Sequence, residues 1–170
     1  TLKAKVGDGV PMLPRFGLQL EMPYGMEYIR YFGRGECESY IDKRLASKLG
    51  VYSTTATENF EHYVRPQENS AHADTRWLTL ATAAGHGIVV SMRKDPVSFN
   101  CCRFTPEQLA ATRHDYELKP LRGTVLNVDL RHTGIGSNSC GPQFAKQFRF
   151  EDKEFEFSFG LTPCVGNDVD

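Results

Sequence analysis

Arg15-Phe16-Gly17-Leu18-Gln19-Leu20-Glu21-Met22 is apolar at every even position and polar or glycine at every odd one. A period of two places alternate side chains on opposite faces of a strand. Phe16, Leu18, Leu20 and Met22 therefore share one face, and Arg15, Gly17, Gln19 and Glu21 the other. The same pattern returns near the other end of the chain. There Phe155, Phe157, Phe159 and Leu161 alternate with Glu154, Glu156, Ser158 and Gly160. Working outward from these two, residues 26–32, 51–57, 76–82, 87–92, 97–104, 124–130 and 144–150 read as further strands. Short strands separated by Gly, Pro, Asn and Asp predict an all-β fold, an antiparallel sandwich or barrel.

Helix is sparse, with one or two short segments expected. Thr105-Pro106-Glu107-Gln108 has a capping threonine, proline at the first helical position and glutamine at the third, which opens a helix to about Thr112. Ile41, Leu45 and Leu49, spaced four apart, predict a helical turn between strands. Trp77 is the only tryptophan. If Leu78 and Leu80 face the core, Trp77 faces a second layer or an interface.

The composition narrows the function classes. In 170 residues, 20 basic side chains stand against 21 acidic ones, and 40% of the chain is hydrophobic. Such a chain buries a core in a single domain and is not intrinsically disordered. The charge balance argues against a nucleic-acid binder. No apolar run reaches the length of a bilayer-spanning helix, which argues against a membrane protein. The opening Thr1-Leu2-Lys3-Ala4-Lys5 has no apolar signal core, and a first residue other than Met reads as a piece of a longer protein. The cysteines at 37, 101, 102, 140 and 164 lack CxxC spacing, and the histidines at 62, 72, 86, 114 and 132 lack HExxH spacing, so no metal site is expected. Free thiols favour a reducing, cytoplasmic setting, with the periplasm as the alternative.

Two loops stand out. In Arg65-Pro66-Gln67-Glu68-Asn69, a glutamate beside an asparagine either orients a polar ligand or braces the loop, and composition favours the brace. Residues 134–142, Gly-Ile-Gly-Ser-Asn-Ser-Cys-Gly-Pro, form a long shaped loop after a strand. With no Lys-Ser/Thr after it, this is not a phosphate loop. A nucleophilic Cys140 would need a base, and His132 is the nearest histidine in sequence.

Taken in order, several motifs form a series. They are Leu13-Pro14-Arg15-Phe16-Gly17-Leu18, Tyr31-Phe32-Gly33-Arg34-Gly35-Glu36, Glu38-Ser39-Tyr40-Ile41-Asp42-Lys43-Arg44, Tyr63-Val64-Arg65-Pro66-Gln67-Glu68-Asn69, Phe104-Thr105-Pro106-Glu107-Gln108-Leu109, Leu126-Asn127-Val128-Asp129 and His132-Thr133-Gly134-Ile135-Gly136. The series resembles the C-terminal domain, or small chain, of large bacterial β-galactosidases of glycoside hydrolase family two, from about Leu13 to Pro163. The resemblance implies an antiparallel β-supersandwich similar to galactose mutarotases. Residues 1–170 would form the latter part of that domain, without the family's strands before Leu13.

It also implies a division of labour. The family's catalytic glutamates lie on a (β/α)8 barrel outside this chain, so no catalytic residue is expected here. The same barrel holds the Mg and monovalent cation of the parent, so no cofactor is expected either. The last domain supplies one wall of the sugar pocket. Its loop after the His-x-Gly-Ile-Gly run reaches the β-galactoside, and members with a tryptophan platform align it with Cys140. Cys140, with Ser139, Asn138 and His132, thus becomes the substrate-binding set. Glu68 and Asn69 become loop-ordering residues beside the pocket. Expected partners are the β-galactoside, the parent's other domains and further copies of the parent. Two other readings are a free-standing carbohydrate-binding module, which needs an exposed platform from Trp77, Tyr24 or Tyr28, and an aldose mutarotase-like enzyme, which needs a His–Glu pair in one pocket.

Overall fold

The computed structural model describes residues 1–135 and 142–166. Its strands are β1 (Leu2–Lys5), β2 (Arg15–Met22), β3 (Tyr28–Gly35), β4 (Lys48–Thr55), β5 (His72–Thr75), β6 (Trp77–Ala81), β7 (Gly87–Met92), β8 (Val97–Cys102), β9 (Thr124–His132), β10 (Glu154–Phe157) and β11 (Phe159–Cys164). All pairings are antiparallel. One sheet has the order β11-β7-β6-β3-β4, a second β2-β9-β8-β5, and β1 pairs with β10 as a ribbon.

The two larger sheets close on one apolar core. Ile29, Tyr31, Leu78, Leu80 and Val90 come from the five-stranded sheet; Val97, Phe99, Cys101, Leu126 and Val128 come from the four-stranded one. Leu18 and Leu20 pack against this cluster from β2, on the face the alternation assigns them. Burying each such side chain contributes about 1.5–3 kcal/mol, so the core is what joins the sheets. Trp77 is half-buried and points away from the core, opposite Leu78 and Leu80, which are fully buried.

The short helix α1 (Pro106–Ala111) forms as its cap predicts: Thr105 Oγ1 accepts from Gln108 N at 3.1 Å, and Pro106 occupies the first turn. Short 3-10 turns follow at Asp115–Glu117 and Lys146–Phe148.

Four local expectations are corrected. Residues 154–161 are not one strand. The alternation runs through Ser158, but β10 pairs with β1 and β11 with β7, so the chain changes sheets there. Residues 144–150 hold the second 3-10 turn, and Phe150 makes only an isolated bridge to Leu13. Residues 41–47 are turns and irregular chain leading into β4, which includes Leu49; Leu45 is fully exposed and has no apolar face to join. Finally, β1 and β5 are strands that periodicity missed. The first is held in part by Lys3–Glu156 and Lys5–Glu154 ion pairs across the ribbon, and it lies before Leu13. The second is short and interrupted by a bulge at His72/Thr75.

Candidate functional site

The non-core face of the four-stranded sheet carries a polar cluster. On β9, Leu126 and Val128 face the core, so Asn127 and Asp129 face the other way. Cross-strand register sets Asn127 opposite Asn100 on β8 and opposite Gln19 on β2. Asp129 lies opposite Ser98 and Gly17. Gly17 is there for space: a Cβ would stand 2.1 Å from the Val128 carbonyl oxygen and 2.6 Å from Asp129 Oδ1. The register shifts between Phe16 and Gly17, leaving Leu130 as the extra residue on β9. Arg15, on the same β2 face as Gly17, lies opposite His132.

Arg15 is the hub. Its Nη1 donates to Glu68 Oε2 at 2.8 Å, its Nε to Asp129 Oδ1 at 3.1 Å and its Nη2 to Asp129 Oδ2 at 2.5 Å. Asn100 Nδ2 donates to Glu68 Oε1 at 2.6 Å, and Asn127 Nδ2 donates to Asn100 Oδ1 at 2.8 Å. Residues 65–69 are thereby pinned onto strands β2, β8 and β9. Burial opposes charge on Arg15, but the hydrogen bond and charge of Asp129, with Glu68 behind them, raise its pKa. Burial raises the Glu68 pKa, and Arg15 and His132 pull against that rise.

The expected residues fall around this hub. His132 ends β9 with Nε2 3.8 Å from Glu68 Oε1, and Tyr40 packs edge-on against its ring at 5.4 Å between centroids. Asn69 is buried and serves its own loop: its Oδ1 accepts from Glu61 N and its Nδ2 donates to Gln67 O. Asn138, Ser139 and Cys140 lie outside the described residues. The structure thus brings Glu68, Asn69 and His132 to one end of one sheet.

The hub residues Arg15, Asp129, Asn100 and Asn127 went unread as site residues. The available signal was polar side chains inside strands otherwise buried throughout, as in Val97-Ser98-Phe99-Asn100-Cys101-Cys102.

A second network abuts the first. Glu38 is buried; it accepts from Lys43 Nζ at 2.5 Å, Tyr63 Oη at 2.6 Å and Ser70 N at 2.9 Å. Burial raises its pKa, but these three bonds outweigh it and leave the pKa lowered. Behind it, His72 Nε2 faces Asn59 Oδ1 at 2.7 Å, and Nδ1 lies 2.9 Å from the Tyr31 hydroxyl. Burial lowers the His72 pKa to about 4. The described cysteines, Cys37, Cys101, Cys102 and Cys164, are free thiols. Among the described residues, no three His, Cys, Asp or Glu side chains converge as a metal site, and no helix is long and apolar enough to cross a membrane.

Residues 1–161 match the family described as Beta galactosidase small chain. The chain belongs to the β-galactosidase small-chain family. It is 41% identical over 152 residues to the beta-galactosidase of Actinobacillus pleuropneumoniae, covering 89% of this chain and 14% of that protein. With the beta-galactosidase of Staphylococcus xylosus the identity is 40% over 151 residues, covering 89% of this chain and 15% of that protein. The Kluyveromyces lactis beta-galactosidase is 30% identical over 151 residues, covering 89% and 14%. This small chain therefore spans about a seventh of the length of the curated relatives it matches. Its strand pairing is the all-β antiparallel sandwich expected from the resemblance.

Proposed function

We propose that this small-chain region is the C-terminal part of a family-two β-galactosidase that hydrolyses terminal β-D-galactosides. In this reading it forms one wall of the sugar pocket and performs no bond cleavage itself. The observation that carries it is the Arg15–Glu68–Asp129 hub. It draws three motifs of the small chain, around residues 15, 68 and 129–132, to the root of the 136–141 segment. Both acidic groups there are occupied by Arg15, so the cluster serves placement. His132 belongs to the root, and Asn138, Ser139 and Cys140 to the sugar-facing segment.

The catalytic glutamates, Mg and monovalent cation of this reading belong to a barrel outside residues 1–170. Assembly contacts with the other domains and with further copies of the parent, in the cytoplasm, complete it.

The mutarotase-like reading asks for a His–Glu pair, and His132 and Glu68 do approach each other. Glu68 has both oxygens engaged, by Arg15 and Asn100, which leaves it poorly placed to donate a proton to a sugar oxygen.

The test is Cys140→Trp in the full-length β-galactosidase. An indole offers a broad apolar face to a sugar, and a thiol does not. The ratio of kcat/KM for galactosides with large and small leaving groups should shift by about fivefold, roughly 1 kcal/mol. A bound galactose analogue should also slow alkylation of Cys140. An unchanged ratio together with no protection would remove this segment from the sugar site.

A further inference from the structure

The backbone amides leading up to residue 136 are each held by a different part of the chain. Thr133 N donates to Pro14 O at 2.9 Å, and Gly134 N to Phe148 O at 2.9 Å. Ile135 N donates to a side chain, Asp42 Oδ1, at 3.2 Å. Thr133 Oγ1 adds a bond to Leu13 O at 2.7 Å. The chain is therefore fixed as far as Ile135, and Asp42 is the side chain that holds the Ile135 amide.

Gly134 fits this arrangement closely. A Cβ there would lie 2.5 Å from Asp42 Cγ and 2.6 Å from Oδ2. The carboxyl group thus rests against the Gly134 backbone in space that a side chain would take. Asp42 is itself held in a turn in which Lys43 N donates to Tyr40 O at 2.9 Å. That turn is tied on both sides. Lys43 reaches Glu38, which accepts from Ser70 N beside the 65–69 loop, and the Tyr40 ring packs on His132. The motif Glu38-Ser39-Tyr40-Ile41-Asp42-Lys43 has no place in the sugar wall as proposed above; here it acquires one as a clamp.

We propose that Asp42 is a positioning residue for galactoside turnover, setting the start of the 136–141 segment through the Ile135 amide. It touches no substrate in this role. The inference rests on the reading that this segment faces the sugar. A carboxylate accepting from a backbone amide makes a charge-assisted bond, stronger than a neutral one. Displacements of about 1 Å in a group that positions substrate can cost on the order of 10²-fold.

The experiment uses the full-length β-galactosidase with Asp42→Ala, Asp42→Asn and Ile135→Pro. Two readouts are taken: the alkylation rate of Cys140 by iodoacetamide without sugar, normalised to the exposed Cys37, and the kcat and KM for a nitrophenyl galactoside. Asp42→Ala should change the Cys140 rate at least threefold and raise KM at least threefold, with kcat within about twofold. Asp42→Asn keeps an acceptor oxygen and should restore most of both. Ile135→Pro removes the donor with Asp42 intact and should reproduce both changes, which keeps the test decisive if Asp42→Ala does not fold. An unchanged Cys140 rate in Asp42→Ala and Ile135→Pro would overturn the clamp itself. A changed rate with unchanged KM would also overturn the role in turnover, and would place the fault in the sugar-facing reading of the segment.

Discussion

Arg15 stands between Glu68 and Asp129, donating one terminal nitrogen to the first and two nitrogens to the second. Those partners lie 53 and 114 residues along the chain from it. The side chain of Asp129 is 4% exposed and that of Arg15 22%, so the pair is largely out of water. Removing one member of such a pair strands the other.

Arg15→Ala should therefore cost about 3–5 kcal/mol in unfolding free energy, the range seen when a buried pair loses one partner. Arg15→Lys should recover only part of this, because an ammonium cannot span both carboxylates as a fork. Urea denaturation of the three proteins checks the order. An Arg15→Ala protein within about 1 kcal/mol of the parent would contradict the hub.

Glu68→Gln tests the same relationship from the other side in the full-length enzyme. The amide keeps an acceptor for Arg15 or Asn100 while losing the charge. Turnover should persist with a change in KM. A fall in kcat of about 10⁴-fold, the scale of losing a residue in the chemistry, would contradict a positioning role.

His72 should make stability depend on pH. Its folded pKa, lowered by burial to about 4, lies below its ordinary value of 6.5. The unfolded chain therefore binds more protons between those values. Stability is fully present above about pH 6.5, falls as pH drops through the window, and levels off below about 4. The full contribution is on the order of 3 kcal/mol. His72→Gln, which keeps a donor for Asn59, should flatten the slope of unfolding free energy between pH 6.5 and 4. An unchanged slope would mean that another group carries it.

Much of the fold was legible because the four-stranded sheet has one apolar face. In β2 the alternation gave both faces, and β7 has the bounds its sequence pattern suggested. Alternation tells which way a side chain points, not which strand lies alongside. This is why 154–161 looked continuous although it crosses from the β1 ribbon to β7. The spacing of Ile41, Leu45 and Leu49 matched a helix period with no apolar face behind it. Glu68 and His132 were legible as motif residues. Arg15 was read within the Leu13–Leu18 motif and as the polar partner of Phe16, but not as a hub, since that role depends on long-range register.

The isolated chain should self-associate. β4 closes one edge of the five-stranded sheet, and Leu49 and Val51 on it are about half exposed beside the fully exposed Leu45. An open strand edge bearing apolar side chains pairs readily with another chain. Light scattering should show mass rising with concentration, and Leu49→Lys with Val51→Lys should suppress the rise. A monomer at all concentrations would show that this edge is not adhesive.

The isolated chain should also fail to hydrolyse galactosides. Glycoside cleavage needs two carboxyl groups flanking the bond, separated by roughly 5–5.5 Å with retention or 6.5–9.5 Å with inversion. Glu68 and Asp129 are brought together here, but by the Arg15 guanidinium, which bonds to both. A sugar would have to displace that cation from both of its bonded partners, at a cost of several kcal/mol. Glu38, the other buried carboxylate, is kept ionised by Lys43, Tyr63 and the Ser70 amide, so it has no proton to donate near neutral pH. Highly purified chain incubated with a nitrophenyl galactoside should release nitrophenol no faster than a heat-killed control. Release above that control, abolished by Glu68→Gln, would place catalytic chemistry in this hub and overturn its assignment to positioning.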